Sequence, residues 1–128
     1  MGPQASSEGP LSAIGQVAIT VRQLARAIEF YKSALGLKFL FEAGSTAFFE
    51  CGGTRLMLSF SDQVDSTYSS IVYYQTANIE ATTRLFRERG VEFEAPPRMI
   101  AKMPDHELWM AFFRDSEGNL VGLMSEVR

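Results

Sequence analysis

From Gln16 to Val21 the chain alternates in period two and is rich in β-branched residues, the pattern of a strand with one buried face. At Gln23 the period lengthens. Leu24, Ala27, Ile28, Tyr31 and Leu35 fall on one side of a helix, which Gly36 closes. Period two returns in Lys38–Glu42, Thr46–Glu50 and Arg55–Phe60. The last two are joined by "CGGT", where Gly52-Gly53 supplies the positive φ angles of a tight hairpin. The first half thus predicts β-α-β-β-β.

A polar stretch, Ser61–Ser69, follows, and the same order begins again. Ser70–Gln75 predicts a strand. Ile79–Arg89 predicts a helix with Ile79, Thr82, Thr83 and Phe86 on one side and Gly90 as its stop. Val91–Glu94 predicts a short strand. Pro96, Pro97 and Pro104 punctuate a connection, and Arg98–Glu107 is expected to cross the rim as a lid. Leu108–Arg114 and Leu120–Val127 predict two strands joined by "DSEGN", a run of turn formers. The repeat extends to residues: "QVAITVRQLARAIEFYKSALGLKF" lies over "IVYYQTANIEATTRLFRERGVEF", which sets Gln16 over Ile71, and "TAFFECGGTRLMLS" resembles "MAFFRDSEGNLVGLM".

These patterns define an α+β chain of two tandem βαβββ modules, about 14–60 and 70–128. Two curled mixed sheets are expected to form a cup, with the helices on its outer face. Residues 1–13 have no such pattern and read as a flexible tail without the basic start and apolar core of a secretion signal. At 128 residues the chain can bury a core without staples. The net charge of -3 offers no electrostatic footprint for nucleic acid, and no apolar run is long enough to span a bilayer. A single cysteine, Cys51, excludes an internal disulfide and fits a reducing cytoplasm.

The strand "VAITV" with its helix "RQLARAIEFYKSALGLKF", the ending "FFRDSEGNLVGLM" and the doubled β-α-β-β-β order together resemble the vicinal oxygen chelate superfamily, also called the glyoxalase/bleomycin-resistance/dioxygenase fold. The resemblance covers Ile14 to Arg128. It implies cups built from eight strands, and homodimers whose site often forms across subunits. In metal-dependent relatives resembling glyoxalase I, it implies one divalent ion held by His, Glu or Gln side chains on the first and last strands of each half. The matching positions here are Gln16, Met57, Ile71 and Gly122. Only Gln16 has a donor suited to a hard divalent ion, so no metal and no other cofactor is expected.

Strand alternation extends this face. Ala18 and Thr20 join Gln16; Arg55 and Ser59 join Met57; Tyr73 and Gln75 join Ile71; Leu120 and Met124 join Gly122. Placing Phe113 opposite Leu120 adds Trp109, Ala111 and Phe113, while Phe48 lies opposite Met57 and Glu50 opposite Arg55. The lining of Phe48, Met57, Ile71, Tyr73, Trp109 and Met124, with sparse polar groups, has the make-up of a small-molecule pocket. Each residue has a plainer role open to it. Gln16 orients a ligand or bonds a neighbour. The methionines fill core, and Trp109 and Tyr73 stack on a ligand or pack as core. Arg55 either pairs with Glu50 at the surface or anchors an anion. Cys51 has no partner base. His106, the only histidine, is a solvated loop residue or, with Glu107, an acid/base pair or part of a displaced metal site with Gln16. The resulting expectation is a metal-free protein that sequesters a hydrophobic or aromatic compound. The alternative is a lyase, isomerase or dioxygenase-like enzyme acting through an unconventional metal or acid/base site.

Overall fold

The computed structural model describes Pro10 and residues 14–62 and 70–128. The expected tail, Pro10 apart, and most of the polar stretch lie outside the described residues. Module 1 comprises β1 (Gln16–Val21), α1 (Leu24–Glu29), β2 (Lys38–Ala43), β3 (Thr46–Cys51) and β4 (Thr54–Phe60). Module 2 comprises β5 (Val72–Gln75), α2 (Ile79–Glu88), β6 (Arg98–Lys102), β7 (Glu107–Arg114) and β8 (Leu120–Val127). The strands form two separate four-stranded mixed sheets of matching order, β1-β4-β3-β2 and β5-β8-β7-β6. In each, the first strand runs parallel to the last and the other neighbours are antiparallel.

Each sheet has one face covered by helix. Val21, Ala47, Phe49, Leu56 and Leu58 pack with Ala27 and Tyr31 of the first helical segment. Ala111, Phe113, Val121 and Leu123 pack with Ile79 and Phe86 of α2. The repeated "AFF" places Ala47 and Phe49, like Ala111 and Phe113, toward the core, and leaves Phe48 and Phe112 facing the other way. Burial of these two apolar faces is the main favourable term holding each module together.

The first helix is not uniform. After Glu29 it widens into a π-helical turn, Phe30–Ala34, with the Leu35 amide donating to the Phe30 carbonyl at 3.1 Å. Phe30 there touches the cores of both modules and lies 6.5 Å from the Phe113 ring. Three further contacts cross the seam between modules. The Tyr31 hydroxyl donates to Asp115 Oδ2 at 2.7 Å. The Glu117 carboxylate accepts from the Arg22 and Gln23 amides at 3.0 Å each, capping α1 from the other module. Arg89 donates to the Ala34 carbonyl at 3.1 Å.

Two predicted elements differ. Residues 91–94 make only an isolated bridge, Phe93 to Phe113; the second strand of module 2 is Arg98–Lys102, drawn from the segment expected to be a lid. Its register shifts between Met99 and Ala101, and four of its five residues are exposed, so no buried face marks it in the sequence. Ile71 precedes β5 rather than lying in it. Nor do the sheets close into a cup within one chain: Gln16, Ala18, Thr20, Arg55, Tyr73 and Gln75 on the uncovered faces are all exposed.

Candidate functional site

On the uncovered face of the first sheet, register sorts side chains into rows that cross all four strands. Lys38, Glu50, Arg55 and Gln16 form a polar row. Next comes an apolar row of Phe41, Phe48, Met57 and Ala18, then a row of Ala43 and the hydroxyls of Thr46, Ser59 and Thr20. The Phe41 and Phe48 rings stack with centroids 4.7 Å apart. The Arg55 guanidinium lies over the Phe48 ring, 5.5 Å from its centroid. Glu50 and Arg55 are register partners, but the Glu50 carboxylate accepts the Gly53 amide at 2.7 Å. The expected Glu50–Arg55 ion pair does not form. Gln16 Nε2 donates a long hydrogen bond to Met57 Sδ at 3.9 Å, and its carbonyl oxygen has no partner among the described residues.

The uncovered face of the second sheet carries Leu108, Met110, Phe112 and Arg114 of β7 opposite Glu126, Met124, Gly122 and Leu120 of β8. Tyr73 and Gln75 stand beside Gly122 and Met124. The Tyr73 ring lies directly over Gly122: a Cβ there would meet Tyr73 Cδ2 at 2.6 Å and Cε2 at 2.9 Å. Phe112 meets Tyr73 edge-on at 5.8 Å.

One facing is corrected. Arg114, not Phe113, stands opposite Leu120, so Trp109, Ala111 and Phe113 turn to the helix-covered face. The connection is five residues long. Asp115 Oδ1 accepts the Glu117 and Asn119 amides at 2.8 and 2.9 Å, and Gly118 takes φ +85°. A register change of one residue turns every side chain on the strand over. Trp109 therefore borders a shallow cleft with Ile79 and Ser125, away from Phe48 and Met57. Phe112 and Met110, which the sequence reading passed over, take its place. The "AFF" repeat was the signal that could have found Phe112, because Phe48 had already been placed on the uncovered face.

His106 and Glu107 also separate. Trp109 Nε1 donates to Glu107 Oε1 at 3.0 Å, which ties Glu107 to the covered side. His106 Nδ1 is instead held by Asp105 Oδ1 at 2.7 Å, and Asp105 accepts Arg128 at 2.8 Å. Hydrogen bonds from Arg128 and then His106 hold the Asp105 carboxyl below the usual range. Cys51, half-buried, has its thiol pushed up by burial and by the adjacent Glu50 charge, the opposite of what a nucleophile needs.

The four chelating positions do not suit a divalent ion. Met57 and Gly122 are register partners of Ala18 and Tyr73, and Ile71 offers only hydrocarbon. The Tyr73 ring fills the corner above Gly122, where a donor side chain would have to stand. Among the described residues no three His, Cys, Asp or Glu side chains gather into a possible ion site.

The description "Glyoxalase/Bleomycin resistance protein/Dioxygenase superfamily" matches residues 13–123. Among solved structures, a glyoxalase/bleomycin resistance protein/dioxygenase from Alicyclobacillus acidocaldarius has TM-score 0.74 at 21% identity, over 91% of this chain and 92% of that one. A lactoylglutathione lyase from Agrobacterium tumefaciens has TM-score 0.72 at 21% identity, over 91% and 96%. A glyoxalase/bleomycin resistance protein/dioxygenase from Nocardioides has TM-score 0.71 at 19% identity, over 98% and 90%. Comparison with curated protein sequences returns no match. Among the described residues no helix is long and apolar enough to cross a membrane. With the family match over nearly its whole length and the paired βαβββ modules of its fold, the chain belongs to the glyoxalase/bleomycin resistance protein/dioxygenase superfamily.

Proposed function

We propose that this chain binds a small hydrophobic or aromatic molecule without a metal ion, in a cup that two copies of the chain complete. The observation that carries this reading is the exchange at the chelating corners: thioether, hydrocarbon and an aromatic ring stand where hard donors would be needed. Aromatic and methionine side chains with few polar groups suit such a ligand. Support for a second copy comes from the two uncovered faces, where Phe41 and Tyr73 are each 44% exposed, a large apolar display for an isolated chain. The cytoplasm is the compartment that the lone cysteine favours.

The test joins metal analysis to ligand titration. Protein equilibrated with Zn, Ni, Mn and Fe(II) and then dialysed is expected to keep no stoichiometric metal, and to bind planar hydrophobic compounds calorimetrically as a dimer. Stoichiometric metal that disappears in Gln16→Ala would overturn the metal-free reading. A second reading, proton-transfer catalysis at His106, is favoured by the Asp105 bond, which orients the ring and leaves Nε2 to exchange a proton. It expects turnover that is lost in His106→Gln while ligand affinity persists.

A further inference from the structure

The polar row on the first sheet contains an uncommitted cation. Arg55 is exposed and has no carboxylate partner among the described residues; the one acidic group opposite it is bound to the Gly53 amide. With Lys38, Glu50 and Gln16 the row carries a net charge of +1, in a chain whose formal charge is -3. The cation–π approach of the guanidinium carbon, 5.5 Å from the Phe48 ring centroid, leaves the N–H fork for a planar oxyanion. On β3 and β4 the apolar row of Phe48 and Met57 lies two residues along from Glu50 and Arg55, roughly 6.6 Å away at the usual rise. Phe41 joins it across a register shift on β2. That spacing suits a flat ring lying on Phe48 and Met57 with an anionic substituent reaching Arg55. The carbonyl of Gln16 beside it, without a partner among the described residues, can accept from a donor on the same ligand.

We infer that the ligand is a planar aromatic anion, such as an aryl carboxylate or sulfonate, and that Arg55 selects its charge. This deepens the small-molecule reading above and rests on it. Arg55 confers the charge preference, and the aromatic row confers affinity common to charged and neutral rings.

The test uses a pair of fluorescent probes that differ only in the anion, 1-anilinonaphthalene-8-sulfonate and the uncharged N-phenyl-1-naphthylamine. Each is titrated into the full chain, Arg55→Gln and Phe48→Leu, with circular dichroism as the check on folding. The full chain is expected to prefer the sulfonate by about tenfold, the scale of one charge-assisted hydrogen-bonded contact. Arg55→Gln is expected to collapse that preference to within about twofold. Phe48→Leu is expected to weaken both probes alike and keep their ratio. Equal affinity for the two probes in the full chain, or a preference that survives Arg55→Gln, overturns the anion assignment and leaves the small-molecule reading intact. No binding of either probe overturns both.

Discussion

The two modules repeat one plan but resolve the same position in opposite ways. In module 1 a small residue on the first strand, Ala18, stands beside a large one on the last, Met57. In module 2 the large residue is on the first strand, Tyr73, and the last strand has Gly122. Side-chain volume is exchanged across the pair and kept, whereas donor chemistry is kept on neither side. The seam shows a second asymmetry. The repeat sets Tyr31 over Phe86 and Asp115 over Cys51, so a hydroxyl–carboxylate contact exists on one side and two less polar residues occupy its counterparts. A fold built by repetition thus tolerates divergence wherever packing volume and hydrogen-bond satisfaction are each met locally.

The sharpest way to break this comparison is at Asp115, which is 6% exposed. Its carboxylate accepts the Tyr31 hydroxyl, the Glu117 and Asn119 amides and the Asn119 side chain. Asp115→Ala is expected to cost about 3 kcal/mol in urea unfolding, because it strands several donors at once. Tyr31→Phe removes one contact and is expected to cost about 1 kcal/mol. Cys51→Ala, at the counterpart of Asp115, is expected to cost less than either. Equal losses at residues 51 and 115 would show the seam to be symmetric in energy.

The volume exchange is tested next. Gly122→Met alone crowds the Tyr73 ring and is expected to cost roughly 2 kcal/mol. Combining it with Tyr73→Ala rebuilds in module 2 the arrangement of Ala18 and Met57, and is expected to recover stability to within about 1.5 kcal/mol of the parent. Failure of the double variant to recover would mean that Tyr73 is held by more than volume.

A further effect is expected from alkali. Burial, reinforced by the Asp115 charge, holds the Tyr31 phenol far above its ordinary range; burial, with Cys51 and Asp115 charges, raises Tyr74 as well. Above about pH 10 the unfolded chain releases these protons while the folded chain keeps them. The folded state then binds more protons, so stability falls with rising pH, by up to about 1.4 kcal/mol per pH unit for each phenol. Urea midpoints measured from pH 9 to 11 are expected to fall, and to fall less in Tyr31→Phe. Because Phe86 has no proton to lose, only the part of the decline removed by Tyr31→Phe belongs to that side of the seam; the part due to Tyr74 persists.

Much of the fold was legible because hydrophobic period and glycine punctuation act over a few residues. The elements of module 1, α2 and the facing of Gln16, Phe48 and Met57 all follow from such patterns. The π-helical turn left no such trace, since it depends on Phe30 reaching both cores. β6 was hidden because most of its residues are exposed, so no buried face marks its alternation; β2 carries a similar register shift and was still legible from its apolar residues.

What the amino-acid order determined by itself is the doubled βαβββ plan and the presence of Met, Ile and Gly at residues 57, 71 and 122, since residue identity needs no geometry to be read. Tertiary structure decided which face Trp109 and Phe112 occupy, the separation of Glu107 from His106, and the release of Arg55 from Glu50. Each of these turns on a choice that composition leaves degenerate. A turn of five rather than six residues inverts a strand, and a backbone amide outcompetes a cation for one carboxylate.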